Sequence, residues 1–500
     1  MIYTLSLIVI FFSFTLYAQI DIDKKFEVNN QQFNNPQLKN SSKINLPDSA
    51  ALDSFITQVM NTYDIPGLAS CVIKEGEIIY KGSFGYADIA NNITVSNSTL
   101  FRLASVSKTI VGTALMQLWE KNLFDLDDDI NTYLPAELQV HNPLFPNDSI
   151  TFRMILSHVS SINDNWGILA PLYVNGDSPI ALDSFLVNYL VPGGIFYSGN
   201  NYNSFAPATQ TEYCNVAAAL AAHLVESITD TLFEQYCNVH IFTPLGMNET
   251  SWFLANLDSA HIARPYTWYN SSYLPIPHSG YPFYPAGQLR TSSFQLAGFL
   301  TAFMQKGRLN NIRILDSTTV ELMTSIHYPQ LASTPGLFWN KQILDNRLVW
   351  GHTGSSLGVM TAIYFCESEN TGIIALSNGE WGRSGDGLYS ILLQLFNYAE
   401  YYNEISINNT QEIQELSLKQ NYPNPFNPTT TIEFSIPKSE FITLKIYNLL
   451  GQEVATLVSE KLTQGTYTFT WDATDFASGL YYYQMTSSEF QMMKKMIVIK

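Results

Sequence analysis

Basic residues are scarce in this chain: lysine and arginine total 25 against 43 aspartates and glutamates, a formal charge of −18 over 500 residues. Binding along a phosphate backbone needs a basic face, and no basic run with interleaved aromatics occurs, so nucleic acid is not expected as a partner. Cysteine is rare too. Cys71, Cys214, Cys237 and Cys366 are widely spaced and form no CxxC pair, which argues against a disulfide scaffold or a zinc ribbon. Small buried thiols are expected, with the pairing left open. The 8 histidines are dispersed, without HExxH, so neither a metal nor another cofactor is expected. The densest acidic run, Asp125, Asp127, Asp128 and Asp129 in FDLDDDINTYLP, reads as a solvated loop.

Long apolar runs are also lacking, with one exception. MIYTLSLIVIFFSFTLYA, residues 1–18, ends in the small residue Ala18 and has the shape of a cleaved secretory signal. It has no Lys or Arg near its start, which leaves an uncleaved anchor as the alternative. No later segment is apolar enough to cross a bilayer, so no stable span is expected after cleavage.

What is present is ordinary globular composition, 46% hydrophobic and 14% charged, at a length that calls for more than one core. Residues 19–45 are Asn/Gln-rich and read as a linker. From 46 to 403 the chain reads as one α/β unit. A helix begins near LPDSAALDSFITQVMNTYDIPG, with Leu52, Phe55, Ile56, Val59 and Met60 on one face. Two strands follow, joined at Glu75–Gly76. Helices and loops dominate from 105 to about 310; then come the hairpin VMTAIYFCESENTGIIALSN and the helix GLYSILLQLFNYAEYYN. Strands at both ends with helices between imply a sheet completed by distant segments. Residues 404–417 read as a linker. Residues 418–500 are short alternating strands between turns, the pattern of a β-sandwich.

Three constellations carry chemistry. In FRLASVSKTIVGTAL, Lys108 lies one helical turn after Ser105 at the start of an apolar helix. A serine hydroxyl is a weak nucleophile that needs a base, and i, i+3 places an amine within its reach. The motif alone is weak, since Ser435–Lys438 repeats it in a strand-like stretch with a proline. Tyr213–Cys214–Asn215 precedes the helix VAAALAAHLVE and offers a proton shuttle, if a cation such as Lys108 lowers the tyrosine's pKa. Among the other Y-x-N triplets, Tyr173 is the serious competitor. His352, Thr353 and Gly354 stand just ahead of a strand, where a histidine would titrate near neutral pH. Within the same stretch GSSLG, centred on Ser356, matches the nucleophile elbow of α/β-hydrolases, but that elbow needs a helix after it and the sequence that follows is strand-like.

S-V-S-K, then Y-x-N, then H-T-G before a late strand is similar to the ordered signature of the serine β-lactamase and penicillin-binding-protein superfamily, in its class C β-lactamase, D,D-peptidase and esterase branch. MILSHVSSI, IFTPLGMNET and YPAGQLRTSSFQLAGFL fall in the same order. The resemblance implies the β-lactamase/transpeptidase-like α/β (α+β) fold, an antiparallel sheet flanked by helices with an all-helical region. It implies Ser105 as acylated nucleophile, Lys108 as its activator, Tyr213 as proton shuttle and Asn215 as substrate-orienting amide. His352, Thr353 and Gly354 would line the site, and the N–H groups of Ser105 and Ser355 would form the oxyanion hole. It also selects Tyr213 over Tyr173 and makes His158 structural. Histidine replaces the lysine of many β-lactamases in the third motif, which favours a broader esterase or peptidase. MILSHVSSI lacks the glycine usual after its serine, and Ala208 stands where glycine is common.

NYPNPFNPTTTIEF, IYNLLGQEVATLV and SGLYYYQM resemble, in order, the C-terminal sorting domain of type IX secretion, an immunoglobulin-like sandwich. The combined expectation is a secreted or surface-held serine hydrolase whose partners are a small-molecule or peptide substrate and the secretion machinery. A true β-lactamase or D,D-carboxypeptidase is one alternative. A catalytically silent binding protein of the same fold is the other.

Overall fold

The computed structural model describes residues 49–379, 386–412, 417–463, 465–487 and 490–500. The expected signal peptide and the 19–45 linker lie outside the described residues. The chain forms two compact units, divided between Ala399 and Glu400.

In the first unit, helix α1 (Ser49–Thr62) buries Leu52, Ile56, Val59 and Met60, the spacing of one apolar helical stripe. Strands β1 (Gly67–Lys74) and β2 (Glu77–Asp88) follow. They meet at Glu75 and Gly76, with φ of 52° and 90°, the left-handed pair that a tight hairpin needs. β3 (Ile93–Thr94) adds an edge. The sheet is completed more than two hundred residues later by β4 (Asn340–Leu344), β5 (Arg347–Ser356), β6 (Val359–Cys366) and β7 (Thr371–Ser377). The order is β4-β5-β6-β7-β1-β2-β3, antiparallel throughout.

Alternation along the central strands builds two cores. Leu68, Val72, Ala362, Tyr364, Ile373 and Ala375 face α1 and the C-terminal helix of the unit, whose Leu388, Ile391, Leu395 and Phe396 join them. Ala69, Cys71, Ile73, Ile363, Phe365, Ile374 and Leu376 face the helical region. With both faces covered, every position of β1, β6 and β7 is buried, so these strands read as unbroken apolar runs. In the helical region, α2 (Ser107–Glu120) is buried from Ser107 through Leu118, the mark of a helix enclosed on all sides. It packs beside α3 (Asn215–Thr229), and α4 (Ser293–Met304) covers the sheet.

Two sequence expectations need correction. The His352–Gly354 segment lies inside strand β5 rather than ahead of a strand. The stretch read as a linker from 404 is helical as far as Glu412, because α5 runs from Asp386 to Glu412.

The second unit is a two-sheet β-sandwich. One sheet joins β8 (Ser417–Leu418), β9 (Thr429–Ile436) and β12 (Gly465–Asp472); the other has the order β11 (Glu453–Leu462), β10 (Glu440–Tyr447), β13 (Gly479–Thr486) and β14 (Gln491–Val498). Ile432, Phe434, Ile442, Leu444, Ile446, Tyr483 and Met485 form the core between them, the alternate inward residues of each strand.

Candidate active site

Ser105 sits in a single 3-10 turn, Ala104–Val106, that leads into α2. Ala104 holds φ at 46°, a conformation costly for a side chain larger than glycine and frequent at functional sites. The half-buried Ser105 hydroxyl therefore stands at a sharp bend over the N-terminus of a buried helix. One turn on, the Lys108 side chain is wholly buried. Its Nζ donates to Ser105 Oγ at 3.2 Å, to Asn215 Oδ1 at 2.7 Å and to the Ala286 carbonyl at 2.8 Å. Burial drives its pKa down from 10.5 to about 7, with the carboxylate of Asp164 opposing the fall. An ammonium taken out of water loses solvation that three hydrogen bonds replace only in part. Near neutral pH the amine is thus divided between its two protonation states.

Tyr213 and Asn215 flank the start of α3. The Tyr213 ring lies 4.8 Å from Lys108 Nζ, 4.5 Å from the His158 ring and 6.4 Å from the His352 ring, centroid to centroid. At the mouth of the site, 41% of the residue stays exposed. Its phenol is pushed up rather than down: desolvation outweighs the hydrogen bond from Ser105. The lowering by Lys108 expected from the sequence is not found, and Tyr213 stays a neutral phenol.

His158, read from the sequence as structural, does hold this corner together. It adopts φ of 57°, its carbonyl accepts from Glu212 N–H, and its Nδ1 accepts from Cys214 N–H at 3.3 Å. That contact fixes the neutral tautomer. His352 Nδ1 donates to the Thr353 carbonyl at 2.6 Å. Burial, reinforced by Lys108, pulls its pKa to about 4, so His352 does not titrate near neutral pH as its sequence position suggested.

β5 reaches the serine through Gly354. A Cβ there would lie 2.1 Å from the Leu103 carbonyl and 2.3 Å from Thr361 Oγ1, so only glycine lets the strand approach this closely. Thr361, paired with Gly354 on β6, donates its hydroxyl to the Leu103 carbonyl at 2.6 Å. The turn carrying Ser105 is thereby tied to the sheet. β4 pairs with β5 only as far as Gly351, so among the described residues no strand lies beside this edge of β5 from His352 to Ser356; Thr353 is half-buried and Ser355 exposed.

Ser105, Lys108, Tyr213, Asn215 and the His352–Ser355 edge thus converge on one site, although their sequence positions span about 250 residues. The competing candidates have other surroundings. Tyr173 packs into an aromatic cluster with Tyr281 and Phe283, at 4.6 and 6.1 Å. Ser356 lies in the β5–β6 hairpin, paired with Val359, with no helix after it. Ser435 is on β9 and shares a hydrogen bond with Thr466. Asp127 pairs with Arg153, Asp128 accepts from Tyr133, and Asp129 caps a 3-10 turn. All four cysteines are buried free thiols.

Sequence reading missed Asp164 and the Ala286 carbonyl. Asp164 follows the SHVSS segment and accepts hydrogen bonds from the N–H groups of Asn215 and Val216 and from Asn215 Nδ2. Nothing in its local sequence distinguishes it from a loop aspartate.

A lysine that is half neutral at pH 7, within hydrogen-bond reach of a serine hydroxyl and beside a tyrosine phenol, can take a proton from the serine and return one to a leaving group. Comparison with known proteins places the chain in a family. Residues 52–395 match the Beta-lactamase family model, and residues 420–500 match the model described as Secretion system C-terminal sorting domain. A penicillin-binding protein of Bacillus subtilis (strain 168) is 30% identical over 188 residues, 37% of this chain and 38% of that protein. Protein flp of Staphylococcus aureus (strain N315) is 23% identical over 331 residues, 65% of this chain and 62% of that protein. The chain thus covers less than two thirds of either relative. Among solved structures, the octameric penicillin-binding protein homologue from Pyrococcus abyssi has a TM-score of 0.59 at 18% identity, covering 91% of this chain and 97% of that one. D-alanine carboxypeptidase AmpC from Burkholderia cenocepacia has a TM-score of 0.55 at 21% identity, covering 70% and 100%. The C-terminal domain marks the chain for type IX secretion to the cell surface or exterior. This chain is a member of the Beta-lactamase family, a family of serine hydrolases and penicillin-binding-like proteins, joined to a secretion sorting domain.

Proposed function

We propose that this chain is an exported serine hydrolase that cleaves an ester or amide through an acyl-enzyme on Ser105. The observation that carries the reading is the fully buried Lys108 amine, 3.2 Å from Ser105 Oγ, with its pKa brought to about 7. Neutral Lys108 takes the hydroxyl proton as Oγ attacks the carbonyl carbon. The backbone N–H groups of Ser105 and Ser355 hold the oxyanion. Lys108 and the Tyr213 phenol pass the proton to the departing alcohol or amine. Water then attacks the acyl carbon, the same groups accept its proton and return it to Ser105 Oγ as the Oγ–acyl bond breaks, and a carboxylic acid leaves.

At neutral pH His352 contributes no charge to the β5 edge. Among the described residues the β5 edge from His352 to Ser355 carries no permanent cation to recognise a substrate carboxylate, which favours neutral esters and amides. The second reading, action on β-lactams or D-alanyl peptides, draws on the relatives described as penicillin-binding proteins and on the neighbour described as a D-alanine carboxypeptidase. Incubating the purified chain and its Ser105→Ala variant with a chromogenic short-chain ester, a chromogenic cephalosporin and a D-alanyl-D-alanine peptide separates the two. Preferential Ser105-dependent turnover of the ester supports the first reading; preference for the cephalosporin or the peptide supports the second. If the variant matches wild type on every substrate turned over, both are wrong.

A further inference from the structure

The strongest unassigned feature lies behind the site. The Asp164 carboxylate accepts from four donors at the start of α3: Asn215 N–H at 2.9 and 3.0 Å, Val216 N–H at 3.0 Å, Asn215 Nδ2 at 2.7 Å and Cys214 Sγ at 3.3 Å. An amide has one donor end and one acceptor end. With Nδ2 committed to Asp164, Asn215 must present Oδ1 to Lys108, as the 2.7 Å contact records. A continuous line of hydrogen bonds therefore runs from Asp164 through Asn215 and Lys108 to Ser105. Resting on the acyl-enzyme reading above, we infer that Asp164 is a positioning residue for the reaction: it locks the Asn215 amide and supplies the negative charge that keeps the buried Lys108 protonatable.

Among the described residues, the other groups around Lys108 do not replace that charge. Tyr213 is a phenol held neutral; Cys214 is a thiol kept protonated by burial. His158 and His352 are imidazoles whose protonated forms would repel the ammonium. Asp164 is the carboxylate that acts on the amine. Without it, desolvation acts against only hydrogen bonds and the Lys108 midpoint falls. The amide could also turn, placing an N–H against the ammonium.

The test is a direct titration of Lys108 in full-length protein carrying 13C-labelled lysine, the Lys108 signal being assigned by its loss in Lys108→Arg. In Asp164→Asn the midpoint is expected to fall by about one pH unit or more, and in Asp164→Glu, which keeps the charge, to return toward wild type. Ester turnover of Asp164→Asn should drop about tenfold or more in kcat with little change in KM, and its acid limb should move to lower pH with the lysine. An unchanged midpoint in Asp164→Asn overturns the inference. Should that variant not fold, Asp164→Ser takes its place against the same Asp164→Glu control: a lowered midpoint in Asp164→Ser that Asp164→Glu brings back toward wild type supports the relay, and an unchanged midpoint in Asp164→Ser overturns it. Because the titration needs no turnover, a shifted midpoint in a chain that hydrolyses nothing would sink the acyl-enzyme reading while leaving the Asp164–Asn215–Lys108 relay standing.

Discussion

A lysine with no exposed surface costs folding energy, and Lys108 is retained despite that cost. The folded-state pKa is about 7 against an ordinary 10.5, so between those values the unfolded chain binds a proton that the folded chain does not. Stability contributed at this position therefore rises as pH climbs from about 7 towards 10.5. Lys108→Met removes the penalty, and its gain in Tm over wild type should be larger at pH 7 than at pH 10; thermal melts at the two values check this. The same variant should lose ester turnover, a trade of function against stability. In wild type, the neutral amine is the proton acceptor, so kcat/KM should rise with pH through an acid limb near 7. His352 and His158 do not produce that limb, since both are held well below the usual imidazole range.

At the scale of elements, the site depends on how closely β5 approaches the turn before α2. A methyl group on Gly354 would overlap the Leu103 carbonyl, so Gly354→Ala should push the strand and the turn apart. We expect a loss of about 1–3 kcal/mol in stability, read by denaturant melts, with kcat reduced by more than stability alone explains because Ser105 moves with the turn. The same element shows what a sequence can disclose. β1, β6 and β7 were legible because they are buried on both faces, and α1 because its apolar stripe repeats at helical spacing. β5 was not: RLVWGHTGSS spends glycines and small polar residues on reaching the serine, so it carries little strand pattern. Ser105, Lys108, Tyr213 and His352 stand out as candidates through their order along the chain, whereas Asp164 meets Asn215 through a contact between residues 51 positions apart in sequence. No local pattern reports such a contact. The charge states of Tyr213 and His352 were misjudged for a similar reason, since both follow from burial.

For the whole molecule, the candidate site and the sorting domain lie on separate units. The first unit holds every residue of the candidate site, and the sandwich has its own core of Phe434, Leu444, Tyr483 and neighbours. A chain ending at residue 417 should keep ester turnover after lysis yet remain inside the cells that normally export it, as fractionation with activity assays would show. The central claim, acylation of Ser105, is tested most directly by intact mass spectrometry of the purified chain after brief exposure to a slowly released acyl donor such as an activated aryl ester. One added acyl group is expected, mapped to the peptide containing Ser105 and absent in Ser105→Ala. An adduct on another residue, or wild-type turnover by Ser105→Ala without one, would contradict it.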